Sequence, residues 1–198
     1  AARLAQEAYN HKKEVIIHLP MQSEPRRTLG PGGLTLDMEE AQFVRAVQQG
    51  LDSVPYAIGV SNHMGSLLTR HPGHMRWLMQ ELKRRGSGWF FIDSRTTAAT
   101  VARQVAVESG VLSAQRDVFL DTTPTRAAIR TQFDRLLTVA RERGTALGIG
   151  HPYPETLNVL EEALPRLETQ GVRLVPVFRT IELQQQRRER TWQTSLSP

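Results

Sequence analysis

Short runs of β-branched and aromatic residues alternate along the chain with stretches whose apolar positions recur every three to four residues. Residues 1–12 place Leu4, Ala5 and Ala8 on one helical face, and Glu14-Val-Ile-Ile-His18 follows as a buried strand. Pro and Gly break residues 20–33 into a loop. Asp37, with Glu40 three residues on, has the spacing of a capping box, and the helix behind it runs to about Leu51 with Phe43, Val44 and Val47 inward. A second strand covers 56–60, and the polar string 61–66 reads as its loop. Helix 73–85 stops at Gly86, strand 89–92 ends in Asp93-Ser-Arg-Thr, and 97–108 is helical. Strand 117–120 ends in Asp121. A long helix over 124–143 aligns Ile129, Phe133, Leu136, Leu137 and Ala140, and stops at Gly144. Strand 146–149, a helix over 154–169 broken near Pro165, and a last strand over 172–177 complete the pattern.

Six short strands alternating with helices imply an α/β fold with parallel strands, either doubly wound or a (β/α) barrel. The chain opens on a helix, so one or two strands are expected upstream. The count then favours a barrel of seven or eight strands. The domain is expected over 1–182, with a polar, disordered tail over 183–198.

Composition narrows the function. A chain of 198 residues is long enough to bury its own core. It has no Cys, which excludes a disulfide scaffold, thiolate zinc sites, iron–sulfur clusters and Cys nucleophiles. No run of about 18 apolar residues is available to span a membrane. The first 14 residues lack the charged and apolar regions of a signal peptide. The net charge of +5 rests on 22 Arg and three Lys. These are interleaved with Glu, Asp and Gln along helices, as on a solvated surface, and Arg187-Arg188-Glu189-Arg190 lies in the tail. With no aromatic platform beside Arg clusters, a nucleic-acid partner is not expected.

The polar residues are informative by position. His18, Asn62 and His63, Asp93 and Arg95, Asp121, and His151 each fall just past an apolar run. In parallel α/β folds such strand ends build the active site. Three His, two Asp and an Arg at one rim form a metal or acid–base constellation. Asp93 and Asp121 also read as helix caps, and Arg95 as a structural partner of Asp93. His11, at a helix end, and His71 and His74, at the start of a polar helix, read as surface residues. Gly30-Pro-Gly-Gly33 is not a phosphate fingerprint, and no G-x-S-x-G or P-loop occurs.

The strings IHLPM (17–21), SNHMGS (61–66), FIDSRT (91–96), DVFLD (117–121) and GHPYPETL (150–157) resemble, in order and spacing, the divergent polysaccharide deacetylase family. The resemblance covers residues 1 to about 180. It implies a distorted (β/α) barrel of about seven strands and a metal-dependent hydrolase that removes acetyl groups from a carbohydrate, in the periplasm. It implies a divalent metal, zinc foremost, on His18 and His63. A third ligand, an Asp, belongs to a first strand absent from this sequence, as does the usual base. His151 matches the general acid, and Asp93 and Arg95 the pocket-lining residues. Asp93 is expected to orient a ligand His and Arg95 to hold Asp93 or an anionic sugar group. Asn62 and Asp121 are expected on the substrate. The alternative is a non-catalytic module on the same fold, binding glycan or a cell-envelope partner.

Overall fold

Where an apolar run has a neighbour to pair with, it becomes a strand. The computed structural model describes the backbone of residues 1–196, with side chains through Arg187 and at Glu189. It divides into two units, Ala1–Gln115 and Arg116–Pro198. The first contains α1 (Ala2–Asn10), β1 (Val15–Met21), α2 (Glu40–Asp52), β2 (Ala57–Met64), α3 (Pro72–Arg84), β3 (Phe90–Asp93), α4 (Ala102–Glu108) and β4 (Leu112–Gln115). All four strands are parallel and lie in the order β1-β2-β3-β4. Neighbours lie in simple chain order, with no reversal within these four strands, an order that the expected barrel also has.

The core of this unit lies between sheet and helices. Phe43, Val47 and Leu51 of α2, Leu78, Met79 and Leu82 of α3, and Val105 of α4 pack with Ile17, Leu19, Val60 and Phe91. All four residues of β3 are buried, as expected of a parallel strand covered on both faces. Gly59 makes room for that strand. A Cβ there would lie 2.7 Å from the Phe90 ring.

The second unit contains β5 (Val118–Phe119), α5 (Arg126–Arg143), β6 (Gly148–Ile149), α6 (Pro154–Ala163) and α7 (Val177–Leu196), with β5 parallel to β6. Val118, Leu120, Phe133, Leu137 and Leu167 form its core. Thr125 caps α5 by accepting from the Ala128 N–H, and Gly144 ends it at φ 70°. Near Pro165 α6 gives way to 3₁₀ turns, Leu164–Arg166 and Glu168–Gln170, as expected. Arg126 and Arg130 share Glu162, and Arg85 meets Asp52, so these arginines lie on the solvated surface that their interleaving with acidic residues suggested. No helix among the described residues is long and apolar enough to cross a membrane.

Several expectations are corrected. Strand β2 continues to Met64, so Ser61, Asn62 and His63 are strand residues, because β1 itself extends to Met21 and offers a partner at each position. Strand β4 was not expected, since LSAQ lacks a β-branched run; pairing with β3 makes it a strand. The helix expected from 97 starts at Ala102, because residues 94–101 are used in a turn around Asp93. The segment 172–176 is not a strand: Pro176 supplies no ladder donor, and Val177 opens α7, which extends to Leu196; residues 197 and 198 of the expected tail lie outside the described residues. Asp37 does not cap α2. Its carboxyl is held below the usual range by the Thr35 hydroxyl, its own backbone N–H and the Arg26 charge, and Glu39 takes the cap position.

His74 is likewise not a surface residue. It is half-buried, its ring 4.7 Å from that of Trp77 and 5.3 Å from that of Phe43. Burial lowers its pKa, backbone hydrogen bonds at Leu36 and Met38 oppose this, and the neighbouring His71 adds to the lowering. The unfolded chain therefore binds this proton more tightly than the folded one. The contribution is present above about pH 6.5 and is lost as pH falls below that value toward the folded pKa. In thermal melts, His74→Phe should flatten the fall in Tm on acidification from neutral pH. An unchanged slope would show that His74 does not carry it.

Candidate functional site

The first group of site residues is positioned by the β1–β2 register. Along β1, Ile17, Leu19 and Met21 are buried in the core, so the intervening His18 projects from the opposite face and is exposed. His18 lies opposite Ser61, and Pro20 opposite His63. The His18 Nδ1 is 2.7 Å from Ser61 Oγ. The His18 and His63 rings meet edge to face with centroids 4.9 Å apart. Two imidazoles from adjacent strands, one oriented by a hydroxyl, suit two positions of a metal centre. Among the described residues no three His, Asp or Glu converge to complete one.

Asn62 is fully buried. Its Oδ1 accepts from the Ser94 N–H at 2.8 Å and its Nδ2 donates to the Met64 carbonyl at 2.7 Å. Thr96 donates to the same carbonyl at 2.9 Å. Asp93 is 1% exposed, its Oδ1 accepting from the Arg95 N–H at 2.8 Å and its Oδ2 from the Thr100 hydroxyl at 2.9 Å. The bonds hold two residues in left-handed backbone, Met64 at φ 56° and Arg95 at φ 47°. Asn62 was expected on the substrate and Asp93 on a ligand His. The structure gives Asn62 hydrogen bonds to Ser94 and Met64, gives Asp93 hydrogen bonds to Arg95 and Thr100, and places Ser61 on Nδ1 of His18. Arg95 is exposed and meets Asp93 through its backbone N–H.

The second group closes on Asp121. Its side chain is wholly inaccessible. It accepts from the His151 backbone N–H, from His151 Nδ1 at 3.0 Å and from the Thr156 hydroxyl at 2.9 Å. A carboxylate only accepts, so His151 carries its proton on Nδ1 and turns Nε2 away from Asp121. The His151 ring, 41% exposed, lies between Phe119 at 5.5 Å and Tyr153 at 5.2 Å. Asp121 was expected on the substrate or at a helix cap. The cap of α5 is Thr125, and Asp121 orients His151. Ser61, Thr100 and Thr156 escaped sequence reasoning. The signal for Ser61 and Thr156 was membership in the strings that also hold His63 and His151.

Comparison with known proteins agrees with the fold. The family model described as divergent polysaccharide deacetylase matches residues 1–181. The uncharacterized protein YibQ of Escherichia coli K12 is 38% identical over 167 residues, covering 84% of this chain and 52% of YibQ. An uncharacterized protein of Haemophilus influenzae Rd is 40% identical over 162 residues, 82% of this chain and 57% of that protein. The chain thus spans about half the length of the curated relatives it matches. The crystal structure of the uncharacterized protein ATU2773 from Agrobacterium tumefaciens C58 superposes with a TM-score of 0.84 at 21% identity, over 89% of this chain and 72% of that one. Its likeness is one of fold.

Removing the buried amide tests the positioning role of Asn62. Asn62→Ala leaves the Ser94 N–H without its acceptor and should cost about 1–3 kcal/mol in chemical denaturation, the penalty of an unpaired buried group. A loss below about 0.5 kcal/mol, the range of an ordinary surface change, would contradict the role.

Proposed function

The chain belongs to the divergent polysaccharide deacetylase family, and from that premise we propose that it acts in the metal-dependent hydrolysis of acetyl groups from a carbohydrate in the periplasm. The observation that carries the reading is the His18–His63 pair with Ser61 behind it. With Nδ1 of His18 on Ser61, the ligand role falls to Nε2. His63, two residues after Ser61 on the same strand, supplies the second imidazole. Zinc, when bound, supplies positive charge that polarises the carbonyl and acidifies water.

The remaining chemistry is proton transfer. Water oxygen bonds to the acyl carbon, and the bond from that carbon to the sugar nitrogen or oxygen breaks. The departing atom needs a proton, and His151 Nε2 is the donor in this reading. Asp121 supports it by keeping Nδ1 protonated and the ring fixed, and Thr156 holds Asp121. Imidazole suits the task because its ordinary pKa lies near neutral pH.

Metal content separates these roles. The protein purified without chelator and offered zinc should bind it, and His18→Ala and His63→Ala should each lose it by elemental analysis. His151→Ala should keep the metal and lose about 10²–10⁴ of the rate on an acetylated oligosaccharide. Asp121→Asn should keep the metal and also lower kcat, since an amide does not enforce the same tautomer. Loss of metal in His151→Ala would show the roles misassigned. Protein that stays metal-free would leave the glycan- or partner-binding module as the better reading.

A further inference from the structure

The second unit contains a cavity of about 690 Å³. Its walls are largely hydrocarbon, with Phe133, Leu137 and Ala140 from α5, Leu160 from α6, and Leu167 and Val172 beyond it. Two further lining residues, Leu157 and Leu174, are 46% and 66% exposed and stand at the rim. The polar lining includes His151 and Thr156, members of the Asp121 cluster. It also includes Arg141, whose guanidinium donates to the Gln170 carbonyl at 3.0 Å, and the exposed Arg173.

The volume falls in the range of small-ligand sites, roughly 300–1,000 Å³. The chemistry of the walls decides the class of ligand. A sugar buried here would leave hydroxyls facing leucine, each without a partner and each costly. A peptide would bring N–H and C=O groups with the same need. An alkyl chain needs no partners and gains about 0.8 kcal/mol for each buried methylene. His151 and Thr156, the polar members of the lining that belong to the Asp121 cluster, then suit the head of such a molecule.

We propose that this cavity binds the single alkyl chain of an amphiphile, with the polar head toward His151. Joined to the hydrolase reading, on which this part rests, the ligand is an acyl chain longer than acetyl, carried on the carbohydrate substrate. The alkyl-binding part is measured without catalysis.

The experiment is a fluorescence titration of the whole chain with 11-(dansylamino)undecanoic acid, in the presence and absence of competitors. Saturable binding at one site per chain is expected, displaced by dodecanoate and not by N-acetylglucosamine. Ala140→Trp fills the cavity and should weaken binding by about tenfold or more with unchanged circular dichroism. Leu157→Glu, at an exposed position, places a charge at the rim and should also weaken it, again with unchanged circular dichroism. No saturable binding, or binding indifferent to both substitutions, would overturn the proposal. Alkyl binding in a protein that hydrolyses neither acetylated nor longer-acylated sugars would support the cavity and overturn the hydrolase reading. Hydrolysis of acetylated sugar by a protein that binds no alkyl chain would do the reverse.

Discussion

The arrangement of the first unit depends on the parallel register of β1 on β2. That register sets His18 against Ser61 and Pro20 against His63. Side chains alternate faces along a strand, so a slip of one residue would turn His18 into the core and Ile17 and Leu19 out of it. The apolar side chains of β1 therefore fix the placement of the polar one. Burial of Ile17, Leu19 and Met21 is worth roughly 1.5–3 kcal/mol for each large side chain, far more than a single hydrogen bond at His18. The His pair is positioned by hydrophobic packing and only trimmed by Ser61.

A second rule separates residues that position from residues that act. Asn62, Asp93 and Asp121 are buried, and each meets neighbouring backbone, hydroxyl or imidazole groups with both of its polar atoms. Burying such groups is tolerable only with partners of this kind. Having been satisfied internally, they have little left to offer a ligand. His18 and His151 keep accessible ring surface, and His63 is half-buried. These imidazoles are where binding or proton transfer has room to occur. The polar residues at the strand ends thus form two sets, one exposed and one holding the turns that present it.

Strand-rich composition was readable where it coincided with a partner. Phe90 to Ile92 is apolar on both faces, and both faces are covered. Val172 to Val177 has a similar composition but includes Pro176 and forms no ladder, while Leu112 to Gln115, with Ser113 at its centre, does. Pairing decides such segments, and pairing is a property of the chain's distant parts. The candidate site shows the same division. Its residue types stood out at the ends of apolar runs. Their partners did not, because His18 and Ser61 are 43 residues apart, His151 and Asp121 30, and Thr156 and Asp121 35. At those separations neither helical nor strand periodicity carries information.

The second unit resolves a tension between its two kinds of lining. A carboxyl group surrounded by leucine is a liability unless hydrogen bonds replace its hydration. Asp121 receives them from Thr156 and from both the backbone and the ring of His151. Those bonds let the hydrocarbon walls approach the cluster without leaving a polar atom stranded. They also leave the ring with one orientation, set from the buried side. The inaccessible position of the Asp121 side chain strengthens such bonds, since solvent does not compete for it. The apolar walls and the buried carboxylate are therefore compatible: Asp121 is satisfied by its own neighbours, and the His151 ring that it holds is a polar group in the cavity lining.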